Sequence, residues 1–271
     1  MLWQRLPSLS LSLKERAGIG FMKHRAFSLL ELLVVITVVG ILAALLLPSL
    51  GRTKSIAQRT DCIGNLRQFG FGAAMYWDDS GGQCFRISDG STNNGTIWWF
   101  GWLDNSQPEG QRPCNLALGK LHPYLGGDDT RLCPSMPSGP PLLKLKSTRV
   151  LCSYGYNVSL SAPAGQPPVR VDHIQRPSGT AVFADAAQAN DFQAPATRSS
   201  PILEEWYYLD FASIYTSSAY YGHGHFRHAR QAAVAFVDGH VDRENPLAGS
   251  LDRRLPAQCL GQLRPEILIL P

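Results

Sequence analysis

Charged residues are scarce in this chain. Asp, Glu, Lys and Arg make up 17% of its 271 residues, whereas soluble domains average roughly 25%. The formal net charge of +4 is too small to indicate a nucleic-acid partner by itself. None of the six cysteines lies in a CxxC pair, which excludes metal knuckles and thioredoxin-type redox motifs. We also find no HExxH, phosphate-binding loop, nucleophile–base arrangement or paired-carboxylate motif, so we expect the protein not to be an enzyme.

Size and composition favour a chain that is mostly soluble and folded. The length of 271 residues suffices for one large domain or two small ones. A hydrophobic content of 44% and a mean hydropathy of −0.09 exclude a polytopic membrane protein. Aromatic residues reach 10%, which argues against wholesale disorder.

One apolar run departs from these averages. Residues 27–47 read FSLLELLVVITVVGILAALLL, and 17 of these 21 residues are apolar. A helix of this length spans about 31 Å, which matches a hydrocarbon core of about 30 Å. The run predicts a transmembrane helix. A removable signal peptide and a buried helix of a soluble protein are the alternatives.

Glu31 is the single charged residue between Ala26 and Gly51. A carboxylate at the bilayer centre costs about 2.5 to 3.5 kcal/mol, and each Leu, Ile, Val or Phe contributes roughly 0.3 to 0.6 kcal/mol to insertion. Insertion therefore remains favourable. A charge in a span is a functional candidate that needs a partner, and the alternative is that Glu31 snorkels to the interface.

The residues around Glu31 resemble the N-terminal signature of type IV pilins and of the pseudopilins of type II secretion systems. The basic stretch Met22-Lys23-His24-Arg25-Ala26 abuts Phe27-Ser28-Leu29-Leu30-Glu31 and the apolar run. In that family a prepilin peptidase removes a basic leader that ends in Gly and methylates the new N-terminus. The resemblance implies a leader over residues 1–26, with Ala26 in place of Gly, and cleavage between Ala26 and Phe27. We expect translation to begin at Met22.

The same resemblance implies a structural role in a filament. The freed α-amine of Phe27 is expected to pair with Glu31 of a neighbouring subunit and so to set the axial register, because a desolvated charge recovers its cost only when it is paired. Pro48 matches the position of a helix kink in the family. The expected partners are a prepilin peptidase/N-methyltransferase, other pilin or pseudopilin subunits, the inner-membrane assembly platform and the lipid bilayer, with no nucleic acid.

The resemblance also implies a location and a fold. The protein is expected to cross the bacterial inner membrane once, with a cytoplasmic N-terminus and a head in the periplasm or in an extracellular filament. The expected fold class is α+β and pilin-like, with a long N-terminal α-helix, half transmembrane and half amphipathic, packed on an antiparallel β-sheet head.

The helical period continues over residues 48–82, after the transmembrane helix at 27–47. Apolar residues recur at spacings near three and four, namely Leu50, Ala57, Ile63, Leu66, Phe69 or Gly70, Ala73 and Tyr76, which predicts an amphipathic helix whose apolar side packs under the head. Gly81-Gly82 is typical of a helix terminator.

Residues 83–271 predict a β-rich globular head, because short apolar runs alternate with Gly and Pro. The predicted strands are Thr96–Trp102, Gly179–Ala184, Glu205–Phe211, Gln231–Val237 and His240–Arg243. The aromatic residues of the first strand suggest a ligand platform, with core or subunit-interface packing as the alternative. Asp238-Gly239 predicts a two-residue type I′ turn between the last two strands.

The C-terminal region carries a second resemblance. His228, followed by nine residues and then Asp238-Gly239, resembles the C-terminal signature of a large pilin-like subfamily associated with prepilin processing. Metal-ligating residue types also gather here, namely His223, His225, His228, Asp238, His240 and Asp242. No ligand motif accompanies them, so we expect no metal and no cofactor, with His223, His225 and His228 as weak candidates. The alternative for His228 is a hydrogen bond that holds the hairpin.

Cys133 and Cys152 flank a Pro-rich loop and are candidates for a disulfide in an oxidising compartment. Six cysteines allow fifteen full pairings, so the connectivity stays open. Cys62 is expected to lie on the helix as a small apolar residue.

Two hypotheses follow. The first is a structural subunit, processed by a prepilin peptidase and assembled into a type IV pilus or a type II secretion pseudopilus. The second is a membrane-tethered enzyme or metal-binding module, motivated by the histidines and the aromatic run. The N-terminal motif favours the first.

Overall fold

The structure, a computed structural model, describes residues 28–127, 132–137, 143–162, 166–211 and 222–270. The predicted leader and the cleavage residues Ala26 and Phe27 lie outside the described residues. The chain divides into two compact units, one ending at Ser49 and the other beginning at Leu50.

The longest element is helix α1, Leu29–Asp79, which includes Pro48. In the second unit its buried residues are Cys62, Leu66, Phe69, Gly70, Gly72, Ala73 and Trp77. Ile63 and Tyr76 are partly buried against the same core, so the predicted apolar face is confirmed from Ile63 onward. The prediction placed the start of this face at Leu50, which is wrong, because the Leu50 side chain is 61% exposed.

Two glycines end α1 as predicted. Gly81 and Gly82 have φ angles of +63° and +82°, which glycine adopts without steric cost. The Gly82 N–H donates to the carbonyl of Trp77 over 2.6 Å, so a carbonyl left open at the helix end finds a partner.

The remaining helices of the described residues are short. The α-helices are α2 (His122–Leu125) and α3 (Pro265–Leu268), and the 3₁₀ helices are Leu116–Leu118, Val158–Leu160, Val171–His173, Pro177–Gly179 and Pro256–Gln258.

Apart from α1, strands make up most of the regular structure of the second unit. They are β1 (Ser88–Thr92), β2 (Gly95–Trp98), β3 (Gly101–Asp104), β4 (Cys114–Asn115), β5 (Leu143–Lys144), β6 (Tyr154–Asn157), β7 (Ala181–Asp185), β8 (Gln188–Asn190), β9 (Ile202–Glu204), β10 (Tyr208–Leu209), β11 (Gly224–His225), β12 (Ala232–Phe236), β13 (Val241–Glu244) and β14 (Leu260–Gly261). The strand orders are β1-β2-β3-β4, β10-β6-β7-β12-β13, β11-β14 and β5-β9-β8.

The five-stranded sheet is the centre of the head. Its pairs β6–β7, β7–β12 and β12–β13 are antiparallel, and β10–β6 is parallel, so the expected antiparallel sheet is mixed at one edge. Strands β7 and β12 are buried along their whole length. This agrees with their sequences, AVFAD and AAVAF, which are nearly continuous apolar runs rather than alternating ones. The α+β, pilin-like layout is confirmed.

Two predicted strands differ from the structure. Residues 96–102 form two antiparallel strands, β2 and β3, because the chain reverses before Gly101, which has a φ of +153° and whose added Cβ would lie 2.7 Å from the Asn115 carbonyl oxygen. The predicted strand Glu205–Phe211 is reduced to β10.

The last hairpin forms as predicted, but its turn differs. The Phe236 N–H donates to the His240 carbonyl (2.9 Å), and the Gly239 N–H donates to the Phe236 carbonyl (2.9 Å). Among the loop residues Gly239 alone has a positive φ, +89°. This is a three-residue loop closed by a left-handed glycine, and the predicted type I′ turn is wrong.

A type I′ turn lies instead at the start of β12. Ala229 and Arg230 have φ angles of +54° and +64°, and His228 and Gln231 exchange two backbone hydrogen bonds of 3.1 Å. Neither residue is a glycine, so the backbone here is held in a region that costs energy for an L-residue. The turn fixes the backbone of His228.

Aromatic rings join α1 to the central sheet. The Phe69 ring centroid lies 5.5 Å from that of Tyr154 and 5.9 Å from that of Trp99, and Trp99 lies 5.2 Å from Phe183. Trp99 is therefore part of the core, which supports the packing interpretation of the aromatic run over a ligand platform.

Glu205 is a buried acid whose carboxylate accepts hydrogen bonds from three backbone N–H groups. Its Oε1 accepts from Lys146, and its Oε2 accepts from Leu151 and Cys152, over 2.5, 2.7 and 3.1 Å. Burial outweighs these donors and raises the pKa of Glu205 from 4.5 to about 7.

We expect this group to make the head less stable as the pH rises. The folded chain holds the Glu205 proton up to about pH 7 and the unfolded chain loses it near pH 4.5. The stabilisation is therefore complete below about pH 4.5 and is lost as the pH rises through 7, by about 3 kcal/mol in total. The measurement is thermal unfolding of the full chain in detergent between pH 5 and 8.

Glu205→Gln is the control for this prediction, since glutamine does not titrate. A comparison of the two chains is needed because burial lowers the pKa of His225 well below 6.5, which gives the opposite slope below that pH. Identical pH profiles for the two chains would contradict the prediction.

Candidate functional site

The first unit carries an exposed apolar surface. Within α1, an 18-residue window has a mean hydropathy of 2.9, and none of that window is buried. A buried helix of a soluble protein would hide such residues, so this alternative from the sequence is not supported. In the described residues, α1 is the helix long and apolar enough to cross a bilayer.

Ser28 and Glu31 form a capping box at the start of α1. The Ser28 N–H donates to Glu31 Oε2 over 2.9 Å, and the Leu30 N–H donates to Ser28 Oγ over 3.3 Å. Each side chain thus accepts an N–H that has no partner within the helix. This role was not predicted, although Ser-x-x-Glu before an apolar run is the signature of a capping box.

In the described residues, these features fit a protein anchored in a membrane by an N-terminal helix. The family model for the prokaryotic N-terminal methylation motif matches residues 21–47. The chain thus carries a prepilin-type N-terminal motif followed by a long apolar helix, consistent with a type IV pilin-like protein. The motif supports a prepilin-type substrate for a prepilin peptidase, and it implies assembly with other pilin subunits. No curated protein and no solved structure matches the chain.

The three candidate histidines lie in separate environments. His223 Nδ1 is 2.6 Å from Asp210 Oδ1. His225 is buried on β11, with Nδ1 3.2 Å from an Arg227 nitrogen. His228 Nε2 faces Cys133 and Asp185 instead. The structure does not bring the three rings to one metal site.

The C-terminal signature residues lie in and just before the last hairpin. His228 precedes β12, while Asp238 and Gly239 form the loop between β12 and β13. Asp238 Oδ1 accepts from the His240 N–H over 3.2 Å and lies 2.5 Å from His240 Nδ1. Asp238 therefore shapes an exposed loop, whereas His228 is buried. The family match ends at Leu47, so the C-terminal resemblance stays a prediction.

His228 belongs to a buried cluster with Cys62, Cys133 and Asp185, which we call the Cys-His-Asp cluster. The four ligand-type atoms lie within 4.8 Å of one another. Cys133 Sγ is 3.3 Å from His228 Nε2, Cys62 Sγ is 3.2 Å from Asp185 Oδ1, and His228 Nε2 is 3.5 Å from Asp185 Oδ2. All four residues are buried.

Each member of the cluster comes from a different part of the second unit. Cys62 lies on α1 and Asp185 ends β7. Cys133 lies in a loop, where its N–H donates to Ser153 Oγ over 2.7 Å. His228 is set by the type I′ turn. The cluster therefore joins the long helix, a loop, the central sheet and the turn that precedes β12.

Arg227 supplies the positive charge next to this cluster. Its Nε and one terminal nitrogen lie 3.1 and 2.8 Å from Asp185 Oδ1. Asp185 Oδ2 accepts from the Ala233 N–H over 2.8 Å. A hydrogen bond from the Cys62 thiol, together with Arg227 and His228, lowers the pKa of Cys133, while burial raises the pKa of Cys62.

The suggested disulfide between Cys133 and Cys152 is not formed, since both are described and both are free thiols. The sulfur of Cys133 faces His228. Cys152 is buried beside Glu205, which accepts its N–H. The two cysteines are close along the chain, but they contact different residues in the fold, so their spacing did not predict a disulfide.

Cys62 and Asp185 were not predicted as potential ligands. Cys62 was correctly placed on the helix, but it was treated as a small apolar residue. Asp185 ends an otherwise apolar strand, and a carboxylate there is a signal, because a buried charge needs a partner. Their meeting depends on contacts between elements far apart in the chain.

Proposed function

We propose that this protein is a structural subunit, not an enzyme, of a type IV pilus or a type II secretion pseudopilus. A prepilin peptidase cleaves it between Ala26 and Phe27 and methylates Phe27. The subunit then waits in the bacterial inner membrane, with its N-terminus in the cytoplasm and its head in the periplasm. The inner-membrane assembly platform moves it into the filament. We propose that it is a minor subunit, since its head is larger than that of a minimal pseudopilin.

The observation that carries this proposal is the motif at residues 21–47 combined with an exposed apolar helix. An apolar surface of this size needs either lipid or other apolar helices around it. A bilayer supplies the first and a filament core supplies the second. The same surface therefore suits both the stored and the assembled subunit.

Glu31 fits both states. In the monomer its carboxylate caps α1 through the Ser28 N–H. Cleavage before Phe27 would free an α-amine one residue away from that N–H. In a filament we propose that Glu31 pairs with the α-amine of a neighbouring subunit, because two charges in an apolar setting are favourable only together.

The test is the N-terminus of the protein when it is produced together with a prepilin peptidase. We expect the intact mass of the membrane-extracted chain to equal that of residues 27–271 plus one methyl group. Protein made with an inactive peptidase is the control and should keep its leader.

Ala26→Gly is the matched variant for this experiment. It restores the family's usual leader end, so we expect it to be cleaved at least as completely as the wild type. A wild-type chain that still begins upstream of Phe27 while the Ala26→Gly chain is cut would show that Ala26 blocks processing. If neither chain is cut by an active peptidase, the proposed function is wrong.

A further inference from the structure

We propose that the head holds a structural zinc ion, bound by Cys62 Sγ, Cys133 Sγ, His228 Nε2 and a carboxylate oxygen of Asp185. This site is independent of the histidine pair His223 and His225, and it revises the expectation that the head binds no metal. Thiolate, imidazole and carboxylate are the ligands that zinc takes in proteins, and structural zinc sites have four of them.

The spacing of the four atoms fits a tetrahedral ion. With zinc bonds of about 2.3 Å to sulfur and 2.0 to 2.2 Å to nitrogen and oxygen, the edges of the tetrahedron measure about 3.4 to 3.8 Å. Cys133 Sγ lies 3.3 Å from His228 Nε2. The two Asp185 oxygens each lie near one other ligand atom, Oδ1 3.2 Å from Cys62 Sγ and Oδ2 3.5 Å from His228 Nε2. All pairs lie within 4.8 Å, so small movements of the side chains would complete the coordination.

The charges also fit. Two thiolates and the Asp185 carboxylate carry three negative charges, and Arg227, whose side chain is 3% exposed, carries one positive charge. A divalent cation brings the buried sum to zero, which a low-dielectric interior requires. Each thiol gives up its proton to solvent when the metal binds.

Neighbouring groups hold the ligands in place, as outer contacts do in metal sites. The Tyr154 hydroxyl donates to Cys62 Sγ over 3.4 Å. Arg227 and the Ala233 N–H orient Asp185. The strained turn at Ala229 and Arg230 fixes His228, and such backbone strain is concentrated at functional sites.

Burial and ligand number decide the role of the metal. Four protein ligands in a buried site leave no open position for water, so the ion is structural and not catalytic. It would tie α1 to the loop of Cys133 and to the central sheet. The head is the part of the subunit that it stabilises.

The experiment measures metal in the full chain, purified in detergent with a tag that contains no histidine. We expect about one zinc ion per chain by plasma mass spectrometry. Cobalt added to the metal-free chain should give the visible absorption of tetrahedral thiolate coordination. Removal of zinc by a chelator should lower the unfolding temperature on the order of 10 °C.

Variants locate the ion. Cys133→Ser and His228→Gln should lower the zinc content at least tenfold, whereas Cys84→Ser, at another buried cysteine, should keep it. If a ligand variant fails to fold, the cobalt spectrum of the wild type still tests the proposal, because a spectrum without tetrahedral thiolate coordination would contradict it. Zinc that survives Cys133→Ser would overturn the proposal. So would a wild type that is purified without zinc and does not take it up, whether or not peptide mapping shows a disulfide between Cys62 and Cys133.

Discussion

Glu204→Gln is expected to lower the free energy of unfolding of the head by about 3 to 5 kcal/mol, the usual cost of removing one partner from a buried ion pair. For a domain of this size the unfolding temperature should fall on the order of 10 °C. The measurement is thermal unfolding of the full chain in detergent, followed by tryptophan fluorescence.

The reason lies in a buried network of two lysines and two glutamates. Glu204 Oε1 pairs with Lys144 Nζ over 3.2 Å and with Lys146 Nζ. Glu109 pairs with the same two lysines over 2.5 and 3.1 Å. Although burial opposes it, the lysine charges lower the pKa of Glu109. Arg112 also pairs with Glu109, over 3.3 Å, so three cations share two carboxylates. Neutralising Glu204 removes the fully buried carboxylate of the two and leaves the buried lysines short of negative charge.

A glutamine at position 204 would also place an amide nitrogen next to the Gln188 donor or next to the lysines. Glu204 Oε2 accepts from Gln188 Nε2 over 2.8 Å. In the variant, the amide nitrogen would face that donor, or else it would face the lysines. An amide nitrogen that faces the lysines takes an acceptor away from two cations, and one that faces Gln188 needs the Gln188 amide to turn over.

Asp172→Asn is the matched control, since it also converts a paired carboxylate to an amide. Asp172 pairs with Arg170 over 2.7 Å, but the two side chains are 54% and 42% exposed. Water screens such a pair, so we expect the unfolding temperature of Asp172→Asn to match that of the wild type. Equal losses in Glu204→Gln and Asp172→Asn would contradict the argument from burial.

The sequence predicted the parts of this protein that depend on local patterns. The membrane helix, the terminator Gly81-Gly82 and the strands around residues 181–185 and 232–236 follow from runs and spacings within one segment. The capping box of Ser28 and Glu31 also follows a local pattern, but Glu31 was assigned only to a partner in another subunit.

The buried polar groups could not be predicted, because each depends on pairings between distant segments. Glu204 meets Lys144 only because β9 pairs with β5, and both strands are too short to leave a pattern. Cys62 meets Asp185 across 123 positions of the chain. Residue types near His228 suggested metal ligands, but the residues that surround His228 in the structure, Cys62, Cys133 and Asp185, come from distant segments of the chain.

Glu31→Ala is expected to lower incorporation of the subunit into filaments on the order of 100-fold. If Glu31 neutralises the α-amine of a neighbour, its loss leaves that amine unpaired in an apolar core, at about 2.5 to 3.5 kcal/mol. Every 1.4 kcal/mol is a factor of ten. The measurement compares the variant in sheared filaments with the variant in the membrane, by immunoblot.

The capping box supplies the control that separates charge from helix capping. Glu31→Gln removes the charge, but glutamine still accepts the Ser28 N–H at this position of a capping box. If the neighbour's amine is what Glu31 meets, Glu31→Gln should fail to assemble as severely as Glu31→Ala. Both chains should still enter the membrane, because removing a charge favours insertion. Normal assembly of Glu31→Gln together with failure of Glu31→Ala would show that Glu31 acts as a helix cap alone, and the pairing between subunits would have to be abandoned.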